Sequence, residues 1–530
     1  MSINNSSNLK FEILRSASVV GLATFLSRLT GFARDVVLAY FFGTGIEIQA
    51  FIVALRLPNL LRDLVAEGVT NSTFVPVFSK LLSQDKRDEF LKVCKFLFRL
   101  ITLLLLSVVI LGEILAPILV RLIAPGFFNE PGKFSLTVTL TRIMFSYILL
   151  IGLVSFNSAI LNSLNNFAPS AIAPVLLNIA IIIGAVISAK ALPVPILGLG
   201  WAVIFGGIFQ LLFQIPSLLK NKIKPWHGFF DFKIDAQVKK ISKRIARLFS
   251  PRLVGSAVYQ LNVFIDTVMA SLSWLVGEGA VAAIYYANRI IQLPLGLFAF
   301  SLSSALLPQL SSLAAKKDNE KLIDTLCFAL KTILVIMLPI SAYLILRSGP
   351  IIKAVFQRGQ FSVFSSQITS WALLFYCLGL FFFAAVRIIL ACFYALEDTR
   401  RPVEIAFICL IANVLLNIIL AIPLKVGGLA LASSLVSLLN LTLLARSLKR
   451  HIPLINYYDM LGRAFFKVLF ATTVMALVTK MAWQYLFTDL SLIIRLSLNL
   501  ILAMSVYLGL AFLFKISEIT EVCRWILKRN

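Results

Sequence analysis

Val175-Leu176-Leu177-Asn178-Ile179 returns as Val414-Leu415-Leu416-Asn417-Ile418, a shift of 239 positions from Asn178 to Asn417. Three other recurrences follow the same order. Ala54-x-Arg56 matches Ala287-x-Arg289, a shift of 233, and Pro169 matches Pro402, again 233. Val75-Pro76-x-Phe78-Ser79 matches Leu307-Pro308-x-Leu310-Ser311, a shift of 232. Apolar text produces any one such match by chance. A near-constant shift, kept in order along the chain, marks a duplicated unit.

Around these strings the chain is a succession of apolar runs. A helix that crosses a bilayer needs about 20 mostly apolar residues. That length predicts fourteen spans, at 14–42, 46–70, 92–120, 137–162, 170–190, 197–219, 247–275, 280–310, 322–347, 366–394, 403–423, 427–447, 463–486 and 491–514. Six spans precede the long polar connection at 220–246 and eight follow it. An even number of spans per repeat preserves orientation, so the repeat is parallel, with its axis along the membrane normal. The expectation is an all-α polytopic membrane protein. Spans 1–6 (residues 1–219) and 7–12 (247–450) form two lobes joined by the 220–246 linker, and two further spans and a tail occupy 451–530. Two such lobes facing a cavity are the architecture of an alternating-access carrier.

Composition agrees. Of the 530 residues, 59% are hydrophobic and 14% charged, with mean hydropathy +0.94. Soluble domains run at about 45–50% apolar and about 25% charged. The net charge is +25, from 49 Lys+Arg against 24 Asp+Glu. It gathers in short gaps: Lys80 to Lys92, Lys220 to Arg244, Lys316 to Lys321, Arg400 and Arg401, Arg446 to Arg450, and Arg524 to Arg529. These follow even-numbered spans, so the positive-inside rule puts both termini in the cytoplasm. Topology accounts for the basic excess without nucleic acid, and the same loops suit anionic lipid headgroups. The gap after span 9, with Arg347, Lys353 and Arg358, departs from the pattern. The N-terminus lacks a cleavable signal sequence, so the first apolar segment is expected to stay as a span. Six cysteines without a C-x-x-C pair and only two histidines leave little for a zinc or histidine centre. No Walker loop, dinucleotide turn or nucleophile elbow occurs.

Charges inside spans are costly, about 2.5–3.5 kcal/mol each on insertion scales. The first span carries Arg28, Arg34 and Asp35; the second carries Arg56, Arg62, Asp63 and Glu67; the eighth carries Tyr285-Tyr286-Ala287-Asn288-Arg289 and Gln292. At about 100° per residue, Arg28 and Asp35 share a helix face and Arg34 lies about 120° from Arg28. Gly31 between them allows a bend. These arginines either pair with the nearby acids and snorkel to headgroups, or they line a wet cavity. The preponderance of Arg favours a polyanionic substrate such as a diphosphate. An exporter of cationic drugs would carry carboxylates instead. Asp266 with Asn413 and Asn417, the latter one turn apart, could supply oxygens to Na⁺, with Ser433 or a carbonyl completing the cage. The alternative is interhelical hydrogen bonding. A membrane-embedded glycosyltransferase would need acids in substantial outward loops, which are short and acid-poor here. A passive scaffold would not need the intramembrane arginines.

The same residues carry a resemblance. Ser27-Arg28-Leu29-Thr30-Gly31-Phe32-Ala33-Arg34-Asp35 is similar to the first-helix motif of the MurJ (MviN) lipid II flippases. So are Leu57-Pro58-Asn59-Leu60-Leu61-Arg62, Ala66-Glu67-Gly68, Phe74-Val75-Pro76, Ala124-Pro125-Gly126-Phe127 and Tyr285 to Arg289 with Pro294. The resemblance runs from about residue 14 to the end. It implies the multidrug/oligosaccharidyl-lipid/polysaccharide exporter fold, with two C-terminal helices forming a groove for a lipid tail. It implies export of the undecaprenyl-diphosphate-linked peptidoglycan precursor, lipid II, to the outer leaflet of a bacterial inner membrane. By position, Arg28, Arg34, Arg62 and Arg289 match cavity arginines, Asp35 matches the acid beside the second of them, and Asp266, Asn413 and Asn417 match a sodium site of some members. Implied partners are lipid II and the bilayer, with cell-wall synthesis or division proteins as candidates. Another lipid-linked oligosaccharide, or a small-molecule substrate, is the alternative cargo. Members often have Asp where this chain has Gln49 and Asn288, Glu where it has Gln292, and some an acid at Asn417, which leaves the coupling ion open.

Overall fold

The computed structural model describes residues 2–62, 71–230, 235–453 and 457–516. Asp63, Glu67, Lys233 and the basic tail from Arg524 lie outside them. The described residues are almost wholly helical and contain no strand. Contacts divide the chain into two compact units, Met1–Ser271 and Leu272–Asn530.

The first unit contains α1 (Ser2–Phe42), α2 (Ile46–Arg62), α3 (Asn71–Ser83), α4 (Arg87–Ile123), α5 (Pro131–Phe145), α6 (Tyr147–Ser163), α7 (Ala168–Ala191), α8 (Pro195–Lys220) and α9 (Ala236–Ser271). In α4, Asp88 and Glu89 sit in the first turn and Arg121 in the last, each sign matched to the helix dipole. The core at one end is aromatic. Phe78 stacks on Phe74 and meets Phe90 and Phe156 edge-on, all four buried where α3, α4 and α6 meet. The chain after α8 packs onto this core through Ile223, Val238 and Ile245. Arg87 donates to the Asn221 carbonyl at 2.9 Å, and Lys92 pairs with Asp235 at 3.4 Å. The contact division therefore falls at Ser271–Leu272, downstream of the 220–246 connection where the repeat places the lobe boundary. The polar start of α9 is held by α3 and α4.

The second unit contains α10 (Ser273–Val276), α11 (Ala280–Pro294), α12 (Ser301–Ala315), α13 (Asn319–Phe356), α14 (Val363–Leu378), α15 (Leu380–Ala395), α16 (Arg400–Leu424), α17 (Val426–His451), α18 (Tyr457–Tyr485) and α19 (Leu492–Leu513). A π-helical segment, Leu295–Phe300, joins α11 to α12. The hairpin α18–α19 packs against α13 through Val468, Met475, Ala503 and Tyr507.

By length and apolarity ten described helices can cross a membrane, and the bent pair α14–α15 makes up to eleven. The expected spans not among them are the first, second and seventh, which correspond to α1, α2 and α9. The chain is a multi-pass α-helical membrane protein.

Candidate functional site

Arg34 is the best-defined of the candidate cations. Its Nε and Nη2 donate to Asp35 Oδ1 at 3.0 and 2.8 Å, and its Nη1 donates to Asn178 Oδ1 at 3.0 Å. Asn178, on α7, returns two bonds to α1, from Nδ2 to the Ser27 carbonyl at 3.1 Å and to Thr30 Oγ1 at 3.3 Å. A Cβ at Gly31 would stand 3.4 Å from Asn178 Nδ2. Gly31 is thus where α7 closes on α1. Asp35 is buried and Arg34 mostly so, at 1% and 12% exposure. A fixed fork of this kind suits oxyanions, because its direction is set before a ligand arrives.

Arg28 lies about 1.7 turns earlier on α1 and is exposed. The structure pairs Asp35 with Arg34, its neighbour. Arg56 and Arg62 are half-buried on α2.

In the second unit, Arg289 on α11 donates from Nη2 to the Tyr285 hydroxyl at 3.1 Å, and its guanidinium lies 4.7 Å from the Tyr285 ring centre. Helical spacing of four residues makes this contact possible. The adjacent Tyr286 is fully buried against Phe356 and Phe361. That aromatic anchor fixes the helix face from which Arg289 projects.

Asn413 and Asn417 meet on one face of α16, where Asn417 Nδ2 donates to Asn413 Oδ1 at 3.4 Å, both buried. Ser433 donates to the Leu429 carbonyl at 3.1 Å. Asp266 is half-buried on α9 and belongs to the first unit. The asparagine pair offers amide oxygens, which a hard cation accepts, but no carboxylate. Among the described residues no three His, Cys, Asp or Glu side chains gather as a metal site.

Two features escape the candidate set. Asn178 is visible in the sequence only as one letter of the repeat string, which marks it as structural duplicate and not as a partner of Arg34. Arg387 lies within the 366–394 span with its guanidinium 3.5 Å from the Phe300 ring centre. The test of a charge inside an apolar span picks it out. Beside these, an apolar groove of about 570 Å³ lies between α13, α18 and α19, lined by residues including Val335, Pro339, Met475, Leu500, Ala503 and Tyr507. The Tyr343 and Tyr507 hydroxyls hold it together by donating to the Leu496 and Val335 carbonyls.

The family model described as "Lipid II flippase MurJ" matches residues 38–503. The chain belongs to the MurJ lipid II flippase family. A probable lipid II flippase MurJ of Buchnera aphidicola subsp. Acyrthosiphon pisum is 34% identical over 440 residues, covering 82% of this chain and 84% of the relative. A second, from Rhizobium meliloti, is 33% identical over 518 residues, 94% of each chain. A solved structure of lipid II flippase MurJ in an inward closed conformation superposes with a TM-score of 0.78 at 28% identity, covering 94% of this chain and 99% of that one. An inward-facing multidrug transporter of the MATE family shares the fold, with a TM-score of 0.59 at 16% identity over 86% of this chain and 94% of its own. The MurJ family match takes in α2 to α18 whole, Arg62, Arg289 and the asparagine pair included.

Proposed function

We propose that this chain flips lipid II from the inner to the outer leaflet of a bacterial cytoplasmic membrane, with both termini in the cytoplasm. The observation that carries the reading is the Arg34 fork, held by Asp35 and Asn178 within a membrane helix of a MurJ family member. Arg28, Arg34, Arg62 and Arg289 supply donors to the diphosphate, and Asp35 orients Arg34. The polyprenyl tail stays in lipid or in the groove beside α18 and α19. An inside-negative potential favours outward movement of an anion, by about 2.3 kcal/mol per charge per 100 mV. A sodium ion held by Asp266, Asn413 and Asn417 is the proposed coupling ion, and dependence of flipping on a sodium gradient tests it.

The experiment is complementation. A bacterium depleted of its own lipid II flippase is given this chain, and outward exposure of lipid II is assayed beside Arg28→Ala, Arg34→Ala and Arg289→Ala. Rescue by the wild type, lost in well-expressed variants, supports the reading. Good membrane expression without rescue moves it to another lipid-linked oligosaccharide. Rescue by all three variants removes the cationic site and keeps the flippase.

A further inference from the structure

On α5 a polar stripe lies on the side that the rest of the first unit leaves bare. Ser135, Thr139, Arg142 and Ser146 follow one another at spacings of four, three and four, which puts them on one helix face. Ser135, Thr139 and Arg142 are exposed and Ser146 is half-buried. The other sides of α5 are covered. Leu140, Ile143 and Met144 pack where α8 approaches at Gly200, and Phe145 fits over Gly112 of α4. Val138 joins Ala116 and Val120 of α4, and α2 packs along the helix as well. The neighbouring helices turn large apolar side chains outward, Ile110 and Ile114 from α4 and Trp201 and Phe205 from α8. Flanks of this kind face lipid tails, and the stripe between them faces the same way.

An acid stands beside it. Glu113 of α4 is half-buried, and its Oε1 accepts from Ser146 Oγ at 2.8 Å. Arg142 Nε donates to the Glu113 carbonyl at 3.3 Å. Neither Arg142 nor Glu113 forms an ion pair among the described residues. Both are deep. Ten residues separate Glu113 from the end of α4 and eleven separate Arg142 from the start of α5, about 15 and about 17 Å at the helical rise. Half the hydrocarbon layer is about 15 Å. Ionised groups at that depth are costly and are seldom turned to lipid. Neither belongs to the arginines proposed for the diphosphate.

The pattern of charge decides what covers the stripe. A phosphate headgroup would have to sink about 15 Å and would answer Arg142 alone. A helix bearing one charge would leave the other bare. A second copy of the chain answers both. A two-fold axis along the membrane normal keeps every residue at its depth and presents the same patch from each side. Arg142 and Glu113 stand side by side at one depth, so the rotation brings Arg142 of each copy to Glu113 of the other. The two reciprocal pairs cancel all four charges. Ser135 and Thr139 are small enough for close approach and bring hydroxyls for bonds between helices. We propose that the chain forms a two-fold dimer through α4 and α5, with Arg142 and Glu113 paired across the interface. The dimer goes beyond the flipping reaction and does not rest on the identity of the transported lipid.

Full-length protein, fused to a donor or an acceptor fluorescent protein, is reconstituted in vesicles of phosphatidylethanolamine and phosphatidylglycerol, and energy transfer is followed as the protein is diluted in lipid. Wild type is expected to show transfer well above that of randomly placed monomers. Arg142→Gln and Glu113→Gln are each expected to need about tenfold more protein for the same transfer, the worth of two polar contacts between membrane helices. Charge exchange separates pairing from misfolding. Arg142→Glu or Glu113→Arg alone sets like charges face to face, so transfer between copies of either variant is expected to vanish. Mixing Arg142→Glu with Glu113→Arg restores opposite charges at both contacts, and transfer is expected to return. Where those two variants do not insert, the glutamine variants decide. Wild type that stays monomeric at every dilution overturns the proposal and leaves the stripe to a helix of another protein. Unchanged transfer in the glutamine variants, or no recovery in a mixture of well-inserted exchange variants, overturns it as well.

Discussion

At the scale of single residues, Arg34 divides its donors between an acid and an amide. Both bonds to Asp35 end on one carboxylate oxygen, and the third bond ends on Asn178. Lysine would keep the charge and lose the fork, so Arg34→Lys is expected to lower lipid II exposure per molecule expressed by about tenfold or more. Asn178→Ala removes one acceptor and leaves the Asp35 pair, so the expected loss is about three- to tenfold, the worth of one hydrogen bond. Equal activity of Asn178→Ala and wild type would confine Asn178 to packing α7 on α1. The sequence exposes the arginines because a charge within an apolar run is conspicuous. It hides Asn178 because a neutral amide in such a run looks like any interhelical tie. A glycine marks either a bend or a close approach, and at Gly31 the position of α7 reveals the close approach.

At the scale of helices, the span at 366–394 is broken by 46° at Gly379, between α14 and α15. A bend frees carbonyls that a lipid-facing helix must satisfy internally. Ser434 of α17 donates to the Phe375 carbonyl at 2.7 Å, and Ser341 of α13 donates to the Cys377 carbonyl. Gly379 lets α17 come close enough to do this, since a Cβ there would lie 2.5 Å from Ser434 Oγ and 2.8 Å from its Cα. Gly379→Ala must push α17 away and is expected to cost about 1–3 kcal/mol of stability. Ser434→Ala and Ser341→Ala are expected to cost about 0.6 kcal/mol each, the usual worth of such bonds in a membrane protein. Thermal melts in detergent rank the three, and a Gly379→Ala melt no lower than that of Ser434→Ala would remove the close approach as the reason for the glycine. The apolar pattern predicts one span here. The bend has no proline to announce it, so its cause is visible only once α13 and α17 are in place.

For the whole molecule, apolar length predicts fourteen spans; helices long and apolar enough to cross match eleven of them, and α1, α2 and α9 score less well among the described residues. The division of basic residues between alternate gaps is the second whole-chain signal, and it makes a topological prediction. Lys317 and Lys449 follow even-numbered spans, whereas Lys190 follows an odd one. If all fourteen segments cross, a cysteine at Lys317 or Lys449 faces the cytoplasm and one at Lys190 faces outward. The native thiols Cys94, Cys377, Cys392 and Cys409 are buried, but Cys327 is half-buried and Cys523 lies outside the described residues, so both are first changed to serine. An impermeant maleimide applied to intact cells is expected to label Lys190→Cys alone, and to label Lys317→Cys and Lys449→Cys only after the membrane is opened. Each poorly scored helix shifts this pattern in its own way if it fails to cross. Loss of α9 as a span would put Lys317 and Lys449 on the same side as Lys190. Loss of α1 or α2 alone would instead move the N-terminus across, with the later loops unchanged. Labelling at Lys317 in intact cells would therefore indict the seventh span specifically, and with it the even count on which the parallel repeat depends.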